Sequence, residues 1–149
     1  MLRRAAGMML LFGLAAPPAL AADVKLDPAA IAKLPVVSET LAFKTAHGGR
    51  TDSFTGPALW DVLVASDAVT PKHPKSVIDG YVTITGTDGF AAVIALGEIS
   101  PMFEGKEVLL ATVEDGKTLG AGHWRLAVPG DKFGGRYVHD IASIVVHAG

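Results

Sequence analysis

No cysteine occurs among the 149 residues, so neither a disulfide nor a protein thiolate belongs to the chemistry of this chain. Small exported domains often lean on disulfides; this one must rest on burial alone. No apolar run approaches the ~20 residues that a bilayer-spanning helix needs. Basic clusters that would hold nucleic acid or anionic lipid are missing, as are internal repeats and low-complexity stretches. None of Ser38, Ser53, Ser66, Ser76, Ser100 and Ser143 stands in a G-x-S-x-G context, and Glu114-Asp115 reads as a turn and not as a catalytic dyad. No glycine-rich loop opens a helix in the manner of a phosphate cradle.

The N-terminus has the layout of a secretory signal. Arg3 and Arg4 give a basic start, Met8 to Leu14 is apolar apart from Gly13, and Ala19-Leu20-Ala21 offers a small-x-small cleavage site. The Arg3-Arg4 pair lacks the polar and aromatic neighbours of a twin-arginine signal, which favours general secretion. Residues 1–21 are therefore expected to leave, and residues 22–149 to form one domain, with a periplasmic or secreted destination and no transmembrane segment. That length supports one real core and is too short for two. Taking Arg3 and Arg4 from 13 basic residues leaves 11 against 15 acidic, a formal charge of −4. A mildly acidic product of this kind is a poor partner for nucleic acid.

Asp27-Pro28 reads as a helix N-cap with proline at the first helical position, opening a short helix through Ile31 and Leu34. Val36 to Ala46 and Thr51 to Thr55 read as a hairpin, reversed at His47-Gly48-Gly49-Arg50. Gly56-Pro57 starts a second helix whose Leu59, Trp60, Leu63 and Val64 recur at helical spacing. Val69 to Ser76 is expected to be a solvated loop, and Leu96 to Pro101 a helical turn. Strands are expected at Val77 to Thr85, Phe90 to Leu96, Val108 to Val113, Trp124 to Val128 and Tyr137 to Val146, with turns at Asp88-Gly89 and Glu114 to Lys117. The fold class is α+β, strand-rich, with two short helices and a mixed sheet or partly closed barrel.

A set of short segments lies between Gly86 and Val146: Asp88-Gly89-Phe90, Leu109-Leu110-Ala111, Asp115-Gly116-x-x-Leu119, Trp124 to Gly130 and Gly135-Arg136-Tyr137-Val138. Upstream, Thr55 to Leu63 is similar to a turn-plus-helix of form W/F-x-G-x-x-L-x-D-L-L. In this order and spacing the chain resembles the molybdopterin-binding domain of the sulfite oxidase family, in a minimal, exported, single-domain form. The likeness runs from about Leu41 to Val146. It implies that fold, a pterin-held molybdenum and two-electron oxidoreductase chemistry, with one protein thiolate on the metal. The family's cysteine falls near Thr45, whose hydroxyl is a hard, mostly protonated and therefore weak substitute for a soft thiolate.

The resemblance also implies a set of pterin-phosphate contacts in H-G-x-P-x-R-x-x-x-P-G and G-x-R-x-V-K. Arg125 and Arg136 match the two arginines. Gly120 stands at the histidine, His123 at the proline and His139 at the lysine, where a neutral imidazole grips a diphosphate less well than an ammonium. The candidate cofactor-binding residues are thus Arg125, Arg136, His139, His123 and Asp88, with no residue assigned as catalytic or as a metal ligand. For Arg125 the competing expectation is an ion pair with Asp88 or Asp131; Arg136 and Lys132 are expected to be solvated. A His123–His139–Asp88 copper or zinc site lacks H-x-H or H-x-x-x-H spacing.

The favoured expectation is a degenerate, non-catalytic binding or accessory module in the periplasm. It would bind no cofactor, and its partner would be another periplasmic protein or a small anionic ligand. The alternatives are a small molybdopterin oxidoreductase without a protein thiolate, and a histidine-based copper or zinc protein.

Overall fold

The computed structural model describes residues 20–148. The expected signal segment lies almost wholly outside them. Three antiparallel sheets carry the fold of these residues. The first has the order β1–β10–β4–β5, built from Leu20–Asp23, Ile141–Ala148, Tyr81–Gly86 and Ala91–Ala95. The second has the order β2–β3–β7–β8, from Val37–Thr45, Gly48–Gly56, Val113–Glu114 and Lys117–Thr118. A short pair, β6 (Leu109–Ala111) with β9 (Arg125–Ala127), sits in the middle.

Alternation along the strands decides which face turns inward. Val82 and Ile84 of β4 lie opposite Ile94 and Ala92 of β5, and opposite Val146 and Ile144 of β10. All six are buried, which makes two rows of cross-strand apolar contact on one face of the sheet. Residues of β6 and β9 are buried throughout, Arg125 included. Helix α2 (Leu59–Ala65) adds Leu59, Trp60, Val62 and Leu63 to the same core. Gly56 permits the entry into that helix, because a Cβ there would run into the Leu110 carbonyl. The backbone around it stitches β3 to the central pair, with Leu110 N bonded to Pro57 O at 3.0 Å and Leu59 N to Val108 O at 2.7 Å.

Several expectations are corrected. Among the described residues every strand ladder is antiparallel and no sheet closes, in place of the expected mixed sheet or partly closed barrel. Among the described residues there are four short helices against the expected two: besides α1 (Pro28–Ile31) and α2, the helical turn expected from Leu96 is α4 (Leu96–Ile99), and α3 (Pro74–Ile78) is added. Helix α3 lies partly within the segment read as a loop: Pro74 occupies the first helical turn and Val77 is buried, so one apolar anchor outweighs the loop-like composition. The reversal of the β2–β3 hairpin is Ala46-His47, with Thr45 facing Gly48, and Gly48 to Arg50 already belong to β3. The long strands expected at Val108–Val113 and Tyr137–Val146 are shorter, because Thr112 interrupts the first and Asp140, at φ 47°, bends the chain before β10.

Candidate functional site

An open cleft of about 400 Å³ lies between the end of the β2–β3 hairpin and the loop that follows β9. Lys44 and Thr45 from β2, Arg50 from β3 and Arg125 from β9 form its walls, with Phe133, Gly134 and His139 from the loop. A second recess of about 480 Å³ adjoins it and shares Phe43, Lys44, Arg50 and Phe133. The loop reaches β2 through a parallel bridge between Lys44 and Phe133, in which Lys44 N donates to Lys132 O at 2.9 Å. Gly134 makes the close approach workable, since a Cβ there would stand 2.8 Å from the Phe43 ring.

Phe43, Phe54 and Tyr137 pack together beneath the cleft, with ring centroids 4.5 to 6.5 Å apart. Tyr137 is tied down by its hydroxyl, which donates to Val128 O at 2.9 Å. Phe133 is different: its side chain stands 64% exposed at the rim, with Lys44 Nζ 5.9 Å from the ring centroid.

Four charged groups meet at the cleft wall and behind it. Arg125 is only 7% exposed. Its Nη1 donates to Glu114 Oε1, while its Nε is buried without any hydrogen-bond partner. The guanidinium carbon lies 5.6 Å from the Phe54 ring centroid. Arg50 is more exposed and faces Asp52, with Nη2 2.6 Å from Oδ2, and lies 3.9 Å from Glu114. Burial pushes the Arg125 guanidinium below its ordinary value, and the attraction of Glu114 does not fully offset that. Arg125 is therefore a cation whose desolvation outweighs its compensation. His139 beside it is also pushed below its ordinary value, by burial first and by the Arg125 charge second.

Of the five candidate residues, Arg125 and His139 line this cleft and three stand elsewhere. Arg136 is not solvated as expected. Its Nε and Nη2 hold Asp131 at 2.8 and 2.7 Å, and Nη1 and Nη2 reach Glu98 at 3.3 and 3.2 Å. Asp131 thus belongs to Arg136, and the acid on Arg125 is Glu114, not Asp88 or Asp131. Asp88 is exposed and serves its own turn, accepting from Phe90 N at 2.9 Å. His123 is exposed and has Asp140 as its partner, Nδ1 to Oδ1 at 2.9 Å. Among the described residues no three His, Asp or Glu side chains cluster as a metal site, so His123, His139 and Asp88 are not gathered around one point.

Thr45, near which the resemblance implies the cysteine, lines the cleft. Its hydroxyl closes the hairpin turn, donating to Gly48 O at 3.1 Å and accepting from His47 N at 3.1 Å. Lys44, Arg50, Asp52, Glu114 and Phe133 were not singled out from the sequence. They come from separate strands and a loop, and no short motif links them. Comparison with protein-family models finds no match, and no curated protein matches the chain in sequence.

Proposed function

We propose that this chain is an exported, non-catalytic binding module on a scaffold like the sulfite oxidase-type molybdopterin domain, working in the periplasm through the cleft beside Arg125. Thr45 carries the reading. At or next to the position that would supply a thiolate, there is a hydroxyl whose hydrogen bonds serve its own turn. The donor set does not fit a pterin-held molybdenum. No protein thiolate is available, and a hard neutral oxygen engaged with the backbone offers the metal little charge. Arg136, the second arginine implied for the pterin phosphate, is taken up by two carboxylates. What survives is one deeply set arginine in the wall of an open cleft, and its positive charge favours a ligand that carries negative charge.

Expression of the whole chain in a host that makes the molybdenum cofactor, followed by recovery from the envelope and elemental mass spectrometry, tests this reading. The expected content is well below one molybdenum per ten chains. A stoichiometric content would overturn the proposal in favour of a thiolate-free molybdoprotein.

A further inference from the structure

The charge at the cleft limits what it can take. Glu114 already occupies Nη1 of Arg125, and Asp52 already faces Arg50. The Arg125 Nε is sealed from solvent, and Nη2, neither hydrogen-bonded nor sealed, is the donor left at the cleft. Lys44 and Lys132 stand exposed at the rims, where water and salt screen them. A dianion would bring its second charge toward Glu114 without a buried cation to meet it. A single carboxylate suits this place better, because one charge-assisted hydrogen bond meets the guanidinium without setting a second negative charge beside Glu114.

The rim adds a second constraint. Phe133 keeps 64% of its surface exposed between two recesses that share it as a wall, and Phe43 lines both. An exposed ring at the mouth of a cavity is a ready surface for a flat partner, since offset ring pairs contribute beyond their buried area. Pockets that orient small ligands commonly combine such apolar walls with one or two placed polar groups.

We infer that the cleft binds a flat organic monoanion, an aryl or heteroaryl carboxylate, with its carboxylate at Arg125 and its ring against Phe133. The inference rests on the reading of the module as free of a metal pterin. It names the chemistry of the ligand that takes the cleft.

The exported protein is titrated with 2-naphthoate, acetate, 2-naphthamide and inorganic phosphate, followed by calorimetry and by backbone amide NMR. Saturable binding of 2-naphthoate is expected, at least tenfold tighter than acetate or 2-naphthamide, with shifts centred on Thr45, Arg125, Phe133 and His139. Phe133→Ala, a change at an exposed ring, should keep the fold and weaken 2-naphthoate several-fold while leaving acetate unchanged. Arg125→Gln should abolish the preference of the site for the carboxylate over the amide. Tighter saturation by phosphate than by 2-naphthoate would overturn the inference, and so would the absence of shifts at the cleft up to 10 mM ligand (about the weakest binding a specific site would show), or equal binding of acid and amide. Molybdenum is measured on the same preparation. Metal-free protein that ignores 2-naphthoate sinks this inference alone, whereas metal-loaded protein sinks the binding-module reading beneath it.

Discussion

Arg136 holds Glu98 across 38 positions of sequence, Nη2 lying 3.2 Å from Oε1, and so ties the loop after β9 to helix α4. Lys106 approaches the same carboxylate at 2.8 Å. Burial works to raise the Glu98 carboxyl, but the hydrogen bonds and charges of Lys106 and Arg136 outweigh it, and the group ends below its ordinary value. A lowered carboxyl favours the folded state above the ordinary value of about 4.5, and that support is lost as pH falls through the lower folded value. The melting temperature of the native protein should therefore drop more steeply between pH 5 and 3 than that of Glu98→Gln, which cannot lose the charge. Parallel curves for the two proteins would show that this cluster does not contribute to acid sensitivity.

His139 offers a titration that reads the cleft directly. Its folded value lies below the ordinary 6.5, through burial first and Arg125 second. The NMR midpoint of its imidazole should accordingly fall below that of a free histidine, leaving the ring neutral at pH 7. Because the unfolded chain then binds the proton more readily, His139 favours the folded state above pH 6.5 and that contribution declines on acidification. In Arg125→Gln the midpoint should move upward toward the ordinary value. An unchanged midpoint in a folded variant would remove Arg125 as a cause.

The aromatic group under the cleft sets its floor. Phe54 is fully buried, and Phe54→Ala is expected to cost about 3–5 kcal/mol through lost burial and a residual cavity. Tyr137→Phe keeps the ring and removes the bond to Val128 O, which still accepts from Asp131 N at 3.4 Å, at a cost of about 0.5–1.5 kcal/mol. Urea denaturation of the two variants should rank them in that order.

Export gives a separate test. Cleavage after Ala21 would leave Ala22 and Asp23 facing Val146 and Val145 at the edge of the first sheet. N-terminal sequencing of envelope protein should begin at Ala22. Retention of Met1 on protein recovered from the cytoplasm would contradict both the signal and the periplasmic assignment.

Local order was legible where chemistry is local. Asp27 accepts from Ala29 N at 3.0 Å, as a capping aspartate before proline should, and the apolar spacing of Leu59, Trp60 and Leu63 emerges as a buried helix face. The alternation of Val82 and Ile84 likewise found its sheet. The cleft was legible only in part. Arg125 was conspicuous as a charge in an apolar strand, but its partner Glu114 lies in a different sheet, and only the three-dimensional pairing of β6 with β9 brings that region together. Arg136 and Arg125 looked equivalent as motif positions. Their environments separate them: one has two carboxylates within reach, the other is buried beside one. Nothing in the spacing of charges along a chain records that difference. The strand expected over Tyr137–Asp140 failed for a related reason, because the backbone there is committed to Leu126 N, through Val138 O at 2.9 Å, before it turns at Asp140.

The bridge between Lys44 and Phe133 is a seam at the rim of the cleft. A hairpin from the first half of the chain and a loop near its end are laced at the rim by the Lys44 N to Lys132 O bond. A single lace of this kind frays at a small fraction of the free energy that unfolding the sheets requires. Deuterium should enter the Lys44 amide long before it enters that of Ile84, and a guest seated across the rim should slow the uptake. The seam can part and close in this way with both sheets at rest, beside a cleft that is already open.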